Sequence, residues 1–560
     1  MTVDTASQIV KVMTGAEAIV ECMKKEQIQK VFCVPGESYL PLLDALHDEP
    51  TIEVITTRHE GGASFMAEGY AKASLKPGVV MATRGVGATN LSIGVHTAYQ
   101  DSTPMVVFIG QVHSQFRGRE GFQEVDLEKY FESIAKWSVE VKDAGRMPEL
   151  VGRAFRIAKS GRPGPVIVSL PEDVLPVEAE MTFGPVTKPP KPVPAEEELD
   201  QVKKILNKAR KPLIIAGGGV KTSQAEEALV KFAKKNSLPV IAAFRRQDIF
   251  PNNHPLYAGH LGLGTAKDIL ETVQEADVIL AIATRLSEVT TQDYSIITND
   301  KTLIHLDIDF DTLGKVYPPD VGIIADAKEG IRALTKLDID FAEWKDWAQE
   351  RNTAFRQNSK LVVSEEDVIN KKVIASLKEK IPSDALLTND AGNFAGWLHS
   401  FYSFDEKHTY VGPTSGAMGY GLPAAIGAKV AYPDKQVVAL AGDGGFMMTA
   451  QEMETAVRHH IPVIALVFNN KMYGTIRMHQ EMNYPKKVMA TDLGQVDFAE
   501  FAISVGAHGY TVKTSEEFDT ALEQALHQAH HKKEPTVIEI ITDKEQISVT
   551  STIEQIRKRK

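Results

Sequence analysis

Two short polar loops carry the residues best suited to chemistry. Gly442-Asp443-Gly444 closes the apolar run Val437-Val438-Ala439-Leu440-Ala441, and after a gap of 24 residues of helical period Asn469-Asn470 closes a second run, Val463 to Phe468. Strand, helix, strand is the plain reading, and in a right-handed unit of that kind both strands deliver their carboxyl ends to one edge of a parallel sheet. Asp443 and Asn470 are therefore expected as neighbours where such sheets bind ligands. A carboxylate and an amide oxygen suit a hard, six-coordinate cation that keeps a water and completes its shell from a diphosphate. The flanking Gly442 and Gly444 would let backbone amides approach the phosphates. The plainer alternative is a tight turn with an acidic loop residue and a polar strand end.

Other segments are ambiguous when taken alone. Arg58-His59-Glu60 precedes the small-residue run Gly61-Gly62-Ala63-Ser64 and reads as a charged helix start. Met418, in the glycine-rich turn Thr414 to Gly421, reads as a gap filler. Arg117 and Arg119, in the stretch His113 to Glu120, could bind a carboxylate as a bidentate pair or face water. A lone histidine such as His479 is more often a satisfied surface or core residue than a catalytic one.

The elements that must position these residues alternate along the whole chain. Short β-branched runs, among them Lys30 to Val34, Met105 to Gly110, Leu213 to Ala216, Val278 to Ile282 and Val537 to Ile541, are each followed by a helical segment. That pattern predicts an α/β fold of three doubly wound parallel-sheet domains. The proline-rich stretch from Pro185 to Pro194 can be neither helix nor central strand and reads as a linker. A second break near Val362 to Asp367 gives domains over 1–184, 195–360 and 368–560.

Composition narrows the class. With 43% hydrophobic and 24% charged residues the 560-residue chain is expected to be soluble and globular, and a formal net charge of −12 argues against a nucleic-acid binder working through a broad basic surface. The basic tail Arg557-Lys558-Arg559-Lys560 reads as a solvated end. Cys22 and Cys33 have no metal or disulfide spacing, the start Met1-Thr2-Val3-Asp4 lacks a signal pattern, and no apolar run is long enough for a membrane span. The cytoplasm is the expected location.

Taken together, Gly-Asp-Gly, the 24-residue gap and Asn-Asn resemble the signature of thiamine-diphosphate enzymes. The resemblance implies that Asp443 and Asn470 give side-chain oxygens to Mg²⁺, and Met472 a backbone carbonyl. It implies that Glu60 meets the aminopyrimidine ring and favours the tautomer whose exocyclic nitrogen takes the thiazolium proton. Met418 falls where the family places a large apolar side chain behind the thiazolium, bending the two rings together. The three domains become pyrimidine-binding, central and diphosphate-binding. Family sites are shared between subunits, so a homodimer or homotetramer is implied.

Within that family the likeness is greatest to acetolactate synthases, carried by Gly110-Gln111-Val112, Gly121-Phe122-Gln123-Glu124, Gly161-Arg162-Pro163-Gly164-Pro165 and Met418-Gly419-Tyr420-Gly421-Leu422-Pro423. It implies decarboxylation of pyruvate and transfer of the two-carbon unit to a second 2-oxo acid, with Gln123 placing substrate oxygens. Departures keep the acceptor open: His479 replaces a tryptophan of the biosynthetic members, and the stretch from His113 to Glu120 differs from theirs. Oxalyl-CoA decarboxylase, sulfoacetaldehyde acetyltransferase and pyruvate oxidase types are the alternatives. Gly217-Gly218-Gly219, Gly259 to Gly262, Arg285 and Asp307 resemble places where biosynthetic members hold FAD, with Arg162 and Arg285 as its contacts, whereas catabolic relatives bind none. FAD and a regulatory subunit both stay open.

Overall fold

Three six-stranded sheets, each parallel throughout, follow one another along residues 10–558, the part of the chain that this computed structural model describes. The first is built from Lys30–Cys33, Glu53–Thr56, Gly78–Ala82, Met105–Gln111, Trp137–Glu140 and Pro165–Pro171. The second uses Pro212–Ala216, Val240–Ala242, Tyr257–His260, Val278–Ile282, Thr302–Asp307 and Val321–Ile324. The third uses Leu386–Asn389, Tyr410–Val411, Val437–Gly442, Ile464–Asn469, His508–Val512 and Thr536–Ile541. Numbered within its own sheet, the strand order is 2-1-3-4-6-5 in the first and third and 3-2-1-4-5-6 in the second. The expected α/β architecture is therefore present three times.

Helices on both faces explain why the inner strands are apolar on both sides. Along Met105–Gln111 every residue is buried; Met105, Val107 and Ile109 enter one core while Val106 and Phe108 enter the other. The core under the first sheet is continuous with that under the third. Helix Glu60–Ser74 lies against helix Gly421–Ala431, and glycine makes the approach feasible: a Cβ on Gly427 would stand 2.0 Å from the Met66 carbonyl oxygen, and one on Gly69 2.5 Å from that of Ala424. The second sheet keeps two cores of its own.

Residues 183–195 and 360–368 contain no helix or strand. No described helix is long and apolar enough to cross a membrane. The tail differs from the expected solvated end, because Arg557 forms a two-bond pair with the carboxylate of the buried Glu481, at 2.8 and 2.6 Å. Helix Ile553–Lys558 thereby seats Ile553 and Ile556 against Ile547 and Met472. Arg559, Lys560 and the first nine residues, Met1 to Asp4 among them, lie outside the described part.

Candidate active site

Strands Val437–Gly442 and Ile464–Asn469 pair with Gly442 opposite Phe468, so the residues after each strand leave the sheet side by side. Asp443 begins helix Asp443–Thr449 and is 5% exposed. Its Oδ1 accepts the Gly444 amide at 2.8 Å, whereas its buried Oδ2 has no hydrogen-bond partner among the described residues. The amides of Asn470, Lys471 and Met472 face the same carboxylate, but burial outweighs them and pushes its pKa up. Asn470 Oδ1 accepts the Met472 amide at 3.3 Å. Gly444 is required for closeness: a Cβ there would stand 2.5 Å from the Tyr473 ring. A buried carboxylate oxygen without a donor is costly unless something from outside meets it. Asp443, Asn470 and the main chain at Met472 could together hold a hard cation and the diphosphate bound to it.

The turn carrying Met418 is bonded to the same edge. Asp390, which the sequence reading missed, follows Leu386–Asn389, the first strand, directly across the switch point from Val437–Gly442. It is 1% exposed, and burial pushes its pKa up to about 6. Its Oδ2 accepts the Gly419 amide at 2.9 Å, and a Cβ on Gly445 would meet that oxygen at 2.5 Å. Thr449 Oγ1 donates to the Gly419 carbonyl at 2.8 Å. Gly416 and Gly419 both take left-handed conformations, with φ of 70° and 80°. Met418, half-buried, thus sits on a turn pinned to the strand end by Asp390 and to the Asp443 helix by Thr449. An acidic residue at a neighbouring strand end, in Asp390-Ala391-Gly392, was the available signal.

Glu60 stands on the first sheet's side. It opens helix Glu60–Ser74, is 9% exposed, and its Oε2 accepts from Asn90 Nδ2 at 2.9 Å. Glu452, from the third sheet's side of the chain, accepts the amides of Arg58 and His59 at 3.2 and 3.0 Å and the Thr455 hydroxyl at 2.7 Å. Fully buried, with its pKa pushed up to about 7, it fixes the backbone entering Glu60. Nothing local in the sequence marks Glu452. Gln123 adopts a left-handed φ of 64°, and its carbonyl accepts the Gly85 amide at 2.9 Å. Glu124 knots that loop by accepting from Gly118, Gly121 and Arg117 at 2.7, 3.0 and 2.8 Å. Arg117 also meets Glu140 at 3.1 Å, whereas Arg119 is exposed and makes no ion pair among the described residues. His479 is exposed on helix Gly474–Asn483. Asp443, Asn470, Met472 and the Met418 turn come together within one chain; neither Glu60 nor Gln123 bonds to that cluster.

The central glycines are occupied differently. The Gly217 amide donates to Ile282 O at 2.9 Å and that of Gly219 to Ala283 O at 3.1 Å. A Cβ on Gly217 would lie 2.3 Å from Ala283 O, and one on Gly218 2.6 Å from Arg246 Nε. Arg162 donates to Ser102 Oγ and Tyr99 O, each at 2.8 Å, and Arg285 to Gln100 O at 2.5 Å. Both arginines thus grip the last turn of helix Arg84–Asp101. Burial raises Asp307 to about 6.

Three family profiles match the chain: thiamine pyrophosphate enzyme, N-terminal TPP binding domain, over residues 13–130; the central domain over 199–334; and the C-terminal TPP binding domain over 390–540. The fold and the strand-end site agree with those matches, and the chain belongs to the thiamine pyrophosphate enzymes. Among its relatives are a probable acetolactate synthase large subunit of Methanococcus aeolicus, 33% identical over 92% of this chain and 90% of the relative. The acetolactate synthase large subunit of Haemophilus influenzae is 32% identical over 92% of each chain. That of isozyme 3 of Escherichia coli is 32% identical over 93% of this chain and 94% of the relative.

Proposed function

We propose that the chain is the catalytic subunit of an acetolactate synthase-type carboligase, which decarboxylates pyruvate and passes the two-carbon unit to a second 2-oxo acid. Similarity to acetolactate synthase large subunits over nearly the whole length carries the reading. When bound, thiamine diphosphate supplies a carbon nucleophile that can accept the electron pair left by departing CO₂. The residues here fit that cofactor and Mg²⁺: the buried Oδ2 of Asp443 has no protein donor among the described residues and lies at the strand end beside Asn470 and the Met472 main chain. Asp443 Oδ2, Asn470 Oδ1 and the Met472 carbonyl would hold the metal, with Gly442 and Gly444 giving the diphosphate room. Glu60 would hold a proton at a pyrimidine ring nitrogen, and Met418 would press on the cofactor's other ring. Gln123 would orient substrate oxygens.

Two copies support this better than one. Val86 and Ile93, 51% and 43% exposed, lie two turns apart on the helix that also carries Asn90, the partner of Glu60. Met447 and Met448, 50% and 47% exposed, lie on the Asp443 helix. A second chain covering both apolar faces would bring one copy's Glu60 to the other's Asp443. A homodimer or homotetramer follows, and the name large subunit borne by the relatives extends the proposal to a smaller regulatory partner. Nothing in the central domain adds support for FAD: the amides of Gly217 and Gly219 are bonded to protein carbonyls and both candidate arginines hold a helix end, so the proposal does not include it. The test is incubation of the purified protein with pyruvate, thiamine diphosphate and Mg²⁺ without flavin. Acetolactate is the expected product; acetaldehyde, acetate or no turnover would overturn the carboligase reading.

A further inference from the structure

The central domain reaches the Met418 turn through two adjacent arginines. Arg245 is 4% exposed and has a left-handed backbone, φ 55°, a strained conformation for a long side chain and one held here by surrounding bonds. Its Nη1 donates to Pro413 O at 2.6 Å and its Nη2 to Asp390 O at 3.4 Å. Asp390 is the residue whose carboxylate holds the Gly419 amide, so Arg245 touches both flanks of the segment from Pro413 to Gly419. Arg246 Nη1 donates to Arg245 O at 2.7 Å, and its Nη2 to Asp101 Oδ1 at 2.9 Å. Asp101 in turn accepts the Thr414 hydroxyl at 2.8 Å and the Thr414 amide at 3.1 and 3.2 Å. Lys72 completes the knot, 2.8 Å from Asp101 and 3.0 Å from Gly412 O.

We infer that Arg245 and Arg246 are positioning residues that set Met418 against the cofactor, so that the central domain governs cofactor activation from outside the thiamine site. The inference rests on the reading of Met418 given above. Arg245 is buried against acceptors of the third sheet's part of the chain and Arg246 against Asp101 of the first, and the turn between them is tied to its flanks by the Gly416 amide, which donates to Pro413 O at 3.3 Å, and to Thr97 by the Ser415 hydroxyl at 3.0 Å. A small shift of either flank is therefore delivered to Met418. Misplacement of about 1 Å at a reacting group costs on the order of a hundredfold in rate. The cluster of Asp443, Asn470 and Met472 makes no bond to either arginine, so cofactor affinity should be spared.

The test uses full-length protein saturated with thiamine diphosphate and Mg²⁺, comparing Arg245→Met, Arg246→Gln and Thr414→Val with Met418→Ala. Two quantities are read: hydrogen–deuterium exchange at the thiazolium carbon, and the Kd of the cofactor. Exchange should slow roughly 10- to 100-fold in each arginine variant and roughly 3- to 10-fold in Thr414→Val, with Kd within about threefold of the unmodified protein. Adding Arg245→Met to Met418→Ala should slow exchange no further, because groups that act through one another are not additive. A multiplicative double variant, or unchanged exchange in the arginine variants while Met418→Ala is slow, overturns the inference. Unchanged exchange in Met418→Ala overturns the reading of Met418 instead. Should Arg245→Met fail to fold, Thr414→Val decides alone: full exchange rate there overturns the inference.

Discussion

Two glycine-rich turns, Gly217 to Gly219 and Gly442 to Gly444, stand at equivalent places, each at the carboxyl end of an inner strand of a parallel sheet. In the central turn the glycines admit neighbouring protein: amides bond to Ile282 and Ala283, and Arg246 lies over Gly218. In the third sheet they surround a carboxylate that is buried and half unused. A glycine run at a strand end is thus a statement about close approach, not about what approaches. What separates the two turns is a carboxylate at the strand end whose second oxygen lacks a protein donor; such an atom alone does not mark a ligand site, since Arg245 Nε and Asp248 Oδ1 of the central domain also lack partners among the described residues.

The comparison can be broken most severely at Asp443. Replacing it by Ala removes the spare oxygen, and is expected to abolish turnover and weaken cofactor binding by more than ~100-fold, measured by titration calorimetry. Retained affinity would mean that the turn is as closed as the central one. Glu60→Gln comes next: thiazolium exchange should fall by about 10²- to 10⁴-fold while cofactor occupancy is kept, since the metal cluster is untouched. Equal exchange at equal occupancy would remove Glu60 from the mechanism.

Gly217→Ala probes the other turn. Its Cβ would meet the Ala283 carbonyl at 2.3 Å, so chemical denaturation should report a loss of about 3 kcal/mol, with cofactor affinity unchanged once folded. A smaller contrast lies between Asp443 and Glu452, a buried carboxylate that protein donors do satisfy. Burial puts the folded pKa of Glu452 near 7 against 4.5 when unfolded. The folded form therefore holds the proton more tightly, and its contribution is fully present below pH 4.5 and lost as pH rises to about 7. The two ends of that window differ by at most about 3 kcal/mol. Melting temperatures of the metal-free protein across pH 5 to about 7.5 should decline and then level, and Glu452→Gln should remove the slope.

How far the sequence alone could be read follows from burial. Inner strands such as Met105–Gln111 and Val437–Gly442 are apolar on both faces and stood out. Strands at or near the sheet edges did not: Trp137–Glu140 is half-buried throughout, and His508–Val512 is mostly so. Asp443 and Asn470 were legible because both sit one step beyond such inner strands. Asp390 follows an equally buried strand but lacks the paired motif, and Glu452 acts across the join between sheets, a relation no local pattern carries. The central glycines resemble flavin-holding ones, but glycine spacing alone does not reveal whose atoms fill the space. Arg246, whose guanidinium closes the space over Gly218, lies far from the glycines in sequence.

The shared core beneath the first and third sheets also has a consequence for biosynthesis. Helix Glu60–Ser74 leaves the ribosome roughly 350 residues ahead of helix Gly421–Ala431, against which its glycine face must close. At ~5–20 residues per second that is a wait of about 20 to 70 s. Throughout it, helix Glu60–Ser74 covers its own sheet but leaves its glycine face uncovered, a state that invites capture by holdase chaperones. Newly made chains slowed between the two helices, for instance by rare codons, should aggregate more readily than the finished protein ever does.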